Sequence, residues 1–135
     1  MHHVGFVVGG IAAAARAFAR SLRLAWDGVI YEDPLQGAKV TFLTSRPGQP
    51  QIELVEPDGD RSPLRRFLED KGGGLHHVCY EIDGLELEMA GMKALGAAIV
   101  SRPKPAVAFG GRRVAWMLTK ERLLVELLER TAHGA

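Results

Sequence analysis

The chain has 135 residues, of which 47% are hydrophobic and 24% charged, values typical of one globular domain that buries a substantial core. Its 17 basic and 16 acidic residues leave a net charge of +1, so we expect binding neither to nucleic acid nor to an anionic membrane. The sequence has no apolar run near the roughly 20 residues of a bilayer-spanning helix and no signal-peptide pattern, and its single cysteine, Cys79, favours a reducing cytoplasm.

The first half of the chain predicts a strand, a helix and three further strands. Residues 2–8 are β-branched and aromatic and end at two glycines, as a strand does. Residues 11–22 carry apolar side chains at helical spacing. The three strands that follow are predicted at 26–31, 39–44 and 51–56, with turn-forming residues between them. These elements form a predicted half-domain, module 1, over about residues 1–57.

A linker with its own helix is predicted at residues 58–73. Ser62 followed by Pro63 is the pattern of a helix N-cap with proline in the first turn, and glycines from Gly72 onward end a helix over 63–71. Module 2, about residues 74–130, then repeats the plan of module 1. Its elements are predicted as a strand at 75–82, a helix at about 85–95, and strands near 97–102, 112–118 and 123–128, followed by a frayed tail at 131–135.

The two modules also repeat each other in sequence. Residues 1–11 align with residues 75–85 at an offset of 74 without a gap, and residues 52–56 align with 125–129 at an offset of 73. Such self-similarity indicates two half-domains that share one core. Each module therefore begins with a pair of histidines and ends with a glutamate on an apolar strand.

Two histidines and two glutamates occupy equivalent places in the repeats: His3 and His77 on the first strands, Glu53 and Glu126 on the last. A carboxylate within an apolar strand needs a partner, because an unpaired buried charge is costly. Two imidazoles and two carboxylates related by pseudo-twofold symmetry would form a four-ligand site for a divalent metal, with open positions for substrate. The alternative is that the histidines are hydrogen-bonded structural residues and the glutamates are solvated.

The second member of each polar pair is predicted to lie on the other strand face. By strand parity His2 and His76 point away from the candidate ligands, and we interpret them as structural residues or as supports behind the site. Glu56 and Glu129 are predicted to be solvated for the same reason.

Three further residues are candidates for contact with substrate. Cys79 has the parity of His77 and either lines the cavity or is a small core thiol. Arg112 and Arg113 follow two glycines, so they either meet a phosphate or carboxylate of the substrate or are exposed loop residues.

This arrangement resembles the vicinal oxygen chelate superfamily, which includes glyoxalase I, methylmalonyl-CoA epimerase, extradiol dioxygenases and bleomycin and fosfomycin resistance proteins. The resemblance covers about residues 2–130. Within it, three segments look most like the methylmalonyl-CoA epimerases: Ile-Glu-Leu-Val-Glu-Pro at 52–57, Asp-Arg-Ser-Pro-Leu at 60–64, and Gly-Gly-Leu-His-His-Val-Cys at 73–79.

The resemblance implies an α+β fold in which two βαβββ modules form an incomplete barrel around a metal site. It implies one divalent ion, of cobalt, nickel, zinc, manganese or iron, and a homodimer. The substrate would be a small molecule, an acyl-CoA or another carbonyl compound. The ligands that it implies are His3, Glu53, His77 and Glu126.

The function that follows is a metal-dependent isomerase or lyase that forms an enolate next to a carbonyl, with methylmalonyl-CoA epimerase as the nearest type. Glu126 or Glu53 would be the catalytic base. Two alternatives stay open: a lactoylglutathione lyase of the glyoxalase I type, and a binding or resistance protein without turnover. In one respect the chain departs from the epimerases, which look to carry a further acid/base glutamate ahead of the third strand. Leu35 and Gln36 occupy that place, with Glu32 and Asp33 close by.

Overall fold

The structure is a computed structural model that describes residues 1–130; the predicted tail at 131–135 lies outside the described residues. Nine strands and three α-helices follow one another along residues 1–130. They are β1 (His3–Val7), α1 (Ile11–Leu22), β2 (Ala25–Trp26), β3 (Tyr31–Asp33), β4 (Ala38–Thr44), β5 (Gln51–Pro57), α2 (Pro63–Lys71), β6 (Gly74–Ile82), α3 (Leu85–Ala94), β7 (Ala98–Pro105), β8 (Arg113–Leu118) and β9 (Leu124–Glu129). A 3-10 turn, Val107–Phe109, lies between β7 and β8.

The strands form one continuous open sheet in the order β2-β4-β5-β1-β6-β9-β8-β7, with β3 paired to β4. In each module the first strand runs parallel to the last, β1 beside β5 and β6 beside β9. The modules join through an antiparallel pairing of β1 with β6, within one chain. The predicted α+β class is therefore confirmed, and the two half-sheets are continuous at β1 and β6.

The predicted strand at 26–31 is wrong in its centre, where residues 27–30 separate β2 from β3. Asp27 Oδ1 accepts a hydrogen bond from the backbone N–H of Val29 (2.9 Å), and Gly28 has a φ of 81°. An aspartate that bonds two residues ahead, followed by a glycine in the left-handed region, forms a turn that strand pairing cannot continue. At the other sheet edge β7 extends to Pro105, beyond the predicted end at 102.

Helices α1 and α3 pack on one face of the sheet, whereas α2 packs through Leu64 on Val7 and Val55 of the other face. Ile11 and Ala15 of α1 pack with Leu43 and Leu54. In module 2, α3 packs on a second cluster, formed by Leu85, Met89, Ala115, Met117, Val125 and Leu127. Because side chains alternate along a strand, packing of Leu54 against α1 directs the adjacent Glu53 to the opposite face. Among residues 1–130, no helix is long and apolar enough to cross a bilayer.

Glu56 and Glu129 are partly exposed, as the predicted solvation implies, but each carboxylate also has a specific partner within the protein. Glu56 Oε1 accepts a hydrogen bond from the backbone N–H of Ile11 (3.0 Å), at the start of α1. The N-cap of this helix is Gly10, which has no side chain, and a free helix N-terminus requires an acceptor. Glu129 forms a bidentate ion pair with Arg113, in which the shorter contact, from Arg113 Nη2 to Glu129 Oε1, is 2.7 Å.

Ser62 fixes the start of α2 against the loop after β3. Its Oγ accepts from the backbone N–H of Leu64 (3.3 Å) and donates to the carbonyl of Gly37 (2.6 Å), and the residue is buried. We expect Ser62→Ala to lower the free energy of unfolding by about 1–2 kcal/mol, as loss of a helix cap does. Urea denaturation would measure this, with Ser45→Ala as the control, because Ser45 caps no helix and loses only a solvent-accessible hydrogen bond to Gln49. Equal losses in the two variants would contradict the capping role.

Candidate metal centre

Four buried side chains from four strands converge on one point: His3 (β1), Glu53 (β5), His77 (β6) and Glu126 (β9). The two Nε2 atoms of the histidines lie 3.1 Å apart. Glu53 Oε1 lies 3.4 Å from His3 Nε2 and 3.0 Å from His77 Nε2. Glu126 Oε1 lies 3.0 Å and 3.5 Å from the same two nitrogens. One donor atom from each residue is within 4.8 Å of all the others.

The register of the central strands explains this convergence. On β5, β1 and β6, Glu53, Gly5 and His77 lie side by side. On β1, β6 and β9, His3, Cys79 and Glu126 form the equivalent row. The pairing of β1 with β6 brings the two rows together, so each contributes one imidazole and one carboxylate.

The donor set and its spacing fit a divalent cation. Two atoms bound at about 2.1 Å to one ion are about 3.0 Å apart at a right angle and about 3.4 Å apart at a tetrahedral angle. The five contacts among the Nε2 and Oε1 atoms span 3.0–3.5 Å. Glu126 Oε1 is also buried without a hydrogen-bond partner among residues 1–130. A buried carboxylate oxygen without a hydrogen bond, beside two imidazole nitrogens, is an arrangement that a cation would satisfy.

The charges of these groups depend on one another. Burial by itself lowers the pKa of His3, but the charge of Glu53, together with close contacts to Cys79 and Glu126, outweighs it and raises this pKa to about 12. The pKa of His77 is raised as well, since its close contacts with Glu126 and Glu53 outweigh burial. Burial would raise the pKa of Glu53 and of Glu126, yet the histidines hold both pKa values below their usual range. Without metal the cluster thus retains protons on the imidazoles, and a cation would have to displace them.

Each candidate ligand histidine contacts the histidine before it. His2 Nδ1 lies 2.8 Å from His3 Nδ1, and His76 Nδ1 lies 2.9 Å from His77 Nδ1. A metal-ligating imidazole donates its other ring N–H to a second group, which fixes its tautomer and orientation. His2 and His76 are placed to accept that hydrogen bond, which leaves each ligand Nε2 free for a cation.

Strand parity fails at His76. The pairing of β1 with β6 shifts after Gly5, so that Phe6 lies opposite Leu75 and His76 becomes an extra residue in β6. A bulge of this kind re-aims a side chain. His76 therefore lines the same cavity as His77.

Three aromatic residues support the histidine rings, and the sequence interpretation missed them. Phe109 stacks on His3 with ring centres 5.8 Å apart, and Phe42 meets the same ring edge-on at 5.6 Å. Trp116 meets His77 edge-on at 4.6 Å. Two of them could have been recognised from the repeat, because the residue numbers of Phe42 and Trp116 differ by the repeat offset of 74. Each lies opposite the glutamate of its own module on the neighbouring strand.

A cavity of about 690 Å³ opens onto the cluster. Glu53, His77 and Glu126 form part of its wall, whereas His3 is fully buried behind them. Val40, Val55, Phe109 and Trp116 contribute apolar surface, and Arg61, Ser101 and Lys104 contribute polar groups. The volume is in the range of about 300–1,000 Å³ typical of small-molecule sites.

The structure does not bring the predicted substrate-binding residues to this cavity. Cys79 is fully buried beside His3, and burial raises the pKa of its thiol to about 12. Arg112 donates to Glu81 (2.7 Å) and to the carbonyl of Phe109 (3.3 Å). It therefore holds the loop whose phenyl ring stacks on His3.

Arg113 joins two acidic side chains on the outside of module 2. It donates to Glu86 (2.7 Å) and through two nitrogens to Glu129 (3.0 Å and 2.7 Å). Its guanidinium is therefore engaged at the far side of β8 from the cavity wall formed by Trp116.

The ion pair between Arg113 and Glu129 gives a pH-dependent contribution to stability. The hydrogen bond from Arg113 lowers the pKa of Glu129, so the contribution is present above the unfolded value of about 4.3 and is lost as pH falls through the lowered folded pKa. We expect Glu129→Gln to lower the unfolding free energy by at most about 1 kcal/mol at pH 7, because the pair is partly exposed.

Urea denaturation from pH 7 down through the acid range would show whether the difference from the parent disappears. The control is Glu121→Gln, at an exposed glutamate for which only a small difference is expected. A deficit in Glu129→Gln that stays constant through the acid range would contradict the ion-pair interpretation.

The loop ahead of β4 forms part of the cavity wall but carries no free carboxylate at the expected place. Leu35 and Gln36 both line the cavity. Asp33 is buried, and its two oxygens accept from the backbone N–H groups of Gln36 (3.2 Å) and Val107 (3.0 Å). Asp33 therefore joins the loops of the two modules above the cavity.

Comparison with known proteins agrees with this geometry. The profile of the Glyoxalase/Bleomycin resistance protein/Dioxygenase superfamily matches residues 2–116. The chain belongs to this superfamily. Membership in it confirms the resemblance inferred from the histidine and glutamate repeat.

Within the superfamily, the chain is similar to proteins named as epimerases. It is 32% identical to an ethylmalonyl-CoA/methylmalonyl-CoA epimerase of Cereibacter sphaeroides, over 94% of this chain and 95% of the relative. A hypothetical protein of Bacillus halodurans has a crystal structure with a TM-score of 0.84, 28% identity, and coverage of 100% of this chain and 96% of that one. A methylmalonyl-CoA epimerase solved with methylmalonyl-CoA and NH4+ shares the fold, with a TM-score of 0.80, 20% identity, and coverage of 98% and 94%.

Proposed function

We propose that this chain is a metal-dependent isomerase that removes and returns the proton next to the carbonyl of an acyl-CoA thioester, as in methylmalonyl-CoA epimerisation. The main support for the proposal is a cluster of candidate metal ligands at the wall of a cavity of about 690 Å³, formed by His3, Glu53, His77 and Glu126. Similarity to epimerases along nearly the whole chain supports this substrate class.

The proposed roles follow from the positions of the four residues. They would hold one divalent ion, which would act as a Lewis acid toward the carbonyl oxygen as negative charge develops there. Imidazole and carboxylate ligands suit cobalt, nickel, zinc, manganese and iron alike. Because His3 is sealed behind the others, substrate would approach from the side of Glu53, His77 and Glu126.

We assign the removal of the α-proton to Glu126, with Glu53 as the other candidate. In both residues Oε1 faces the histidines, which leaves Oε2 to accept the proton. The apolar wall of Val40, Val55 and Phe109 would exclude water from this step and strengthen the electrostatic effect of the cluster.

Return of the proton to the opposite face needs a second donor, and Leu35 and Gln36 occupy the place where the resemblance implies a glutamate. Leu35 has no acidic proton, and Asp33 already accepts two backbone hydrogen bonds. We therefore expect exchange of the α-proton with solvent to be faster than inversion of configuration. Conversion of one enantiomer into the other would then be slower than isotope exchange.

The test uses the metal-loaded protein with a single enantiomer of methylmalonyl-CoA in deuterated water. Proton NMR would follow loss of the α-proton signal, and circular dichroism would follow inversion. We expect exchange that requires both metal and His77, shown by its absence in the metal-free protein and in His77→Ala. Turnover of the glutathione–methylglyoxal hemithioacetal instead would favour the glyoxalase alternative, and substrate binding without exchange would favour a binding protein.

The homodimer and the cytoplasmic location stay predictions.

A further inference from the structure

Gly5 lies in β1 at a place where an added side chain would occupy the space of the His77 imidazole. A Cβ built on Gly5 would lie 2.1 Å from His77 Cε1, 2.5 Å from Nε2 and 2.6 Å from Nδ1. Contacts under about 3.0 Å cannot persist between such atoms. Gly5 does not have a positive φ. The requirement for glycine at this position therefore comes from the ring above it and not from the backbone conformation.

The position of Gly5 in the sheet relates it to two of the four candidate ligands. On one side it pairs with Glu53 of β5, and on the other with His77 of β6. The repeat offset of 74 makes Cys79 its equivalent in module 2, and Cys79 pairs with His3 and Glu126 in the same way. Module 2 thus has a small side chain at this place, whereas module 1 has none.

We propose that Gly5 is a positioning residue: the absence of a side chain there lets the His77 imidazole lie against β1, where its Nε2 comes within 3.1 Å of His3 Nε2. The inference rests on the proposed metal centre. The ring is held from elsewhere by His76 Nδ1 at 2.9 Å and by the edge contact with Trp116 at 4.6 Å. Any shift forced by a methyl group at position 5 would therefore disturb these contacts and move Nε2 away from the other ligand atoms.

The first test is titration of the metal-free proteins with Co²⁺, followed by visible absorption and calorimetry. We expect Gly5→Ala to raise the dissociation constant by about 10- to 100-fold, the range seen when a residue that orients a ligand is lost, and to alter the Co²⁺ absorption spectrum. The matched control is Gly91→Ala in α3, where a Cβ meets no described atom within 4 Å. Equal affinities and spectra for parent and Gly5→Ala, with the fold intact, would overturn the proposal.

A second test separates a local clash from a general effect on folding. Urea unfolding of the metal-free proteins would compare Gly5→Ala in the parent with Gly5→Ala in a His77→Ala background. If the clash is with the imidazole, Gly5→Ala should lower the free energy of unfolding much less in the His77→Ala background than in the parent. The double variant should fold even if Gly5→Ala alone does not. The same loss in both backgrounds would overturn the inference. This comparison needs no metal, so it stands even if the parent binds no Co²⁺, a result that would refute the metal centre itself.

Discussion

His77→Ala is expected to weaken divalent cation binding by more than the roughly 100-fold that loss of an outer-shell partner can cause. The reason is that His77 Nε2 lies 3.0–3.5 Å from the candidate donor atoms of the other three residues, so its loss opens the centre of the cluster. Alanine has no atom that can bind a metal. The cation would then be held by the two buried carboxylates and a single imidazole.

Calorimetric titration with Co²⁺ and Zn²⁺ would measure the effect. The comparison variant is His76→Ala, which removes only the Nδ1 partner of His77 and should cost about 10- to 100-fold. If His77→Ala bound metal as tightly as the parent, His77 would not be a ligand. If both variants lost binding to the same extent, the distinction between ligand and support would be wrong.

Glu126→Gln is expected to reduce the rate of α-proton exchange by about 10²–10⁴-fold at saturating metal, the contribution of a positioned general base. Glutamine keeps an oxygen that can bind a cation, but its amide cannot accept the proton. Glu53→Gln provides a control at the equivalent place in module 1, and we expect a loss of less than about 10-fold there if Glu126 is the main base.

Single-turnover exchange rates, measured with metal content determined for each sample, would separate lost catalysis from lost metal. A larger effect at Glu53 than at Glu126 would assign the base to Glu53. Equal small effects at both would contradict a carboxylate base in this cluster.

Most of the fold and of the candidate site could be predicted because the sequence contains an internal repeat. Because each module begins with a histidine pair and closes with a glutamate, four ligand candidates could be chosen from equivalent positions alone. The structure brings those same four side chains together. The parallel pairing of first and last strands in each module is what converts a repeated sequence into a shared cluster.

Features that depend on local irregularity or on distant partners could not be predicted in the same way. Alternation of strand faces placed His76 away from His77, but one extra residue in β6 reverses that assignment. Arg112 and Arg113 follow two glycines, a pattern found in anion-binding loops, yet their acidic partners Glu81 and Glu129 come from strands that are distant in sequence. Long-range pairing decides such cases, and no spacing near the arginines encodes it.

The structure also breaks the symmetry of the repeat where substrate would bind. His3 and His77 are equivalent in sequence, yet only His77 reaches the cavity wall, because the Phe109 ring stacks over His3. The proposed metal centre therefore meets the cavity at His77, Glu53 and Glu126 and not at His3. Leu35 and the cavity loops line this cavity, so specificity would be set by segments that the repeat does not share.

The central claim is that His3, Glu53, His77 and Glu126 bind one divalent ion. It is tested most directly by diffraction from crystals grown with Co²⁺, with data collected on both sides of the cobalt absorption edge. We expect one anomalous peak per chain among the four side chains, at about 2.0–2.2 Å from the two Nε2 atoms and the carboxylate oxygens. No peak at this position, or a peak held instead by His2 and Cys79 behind the cluster, would contradict the account.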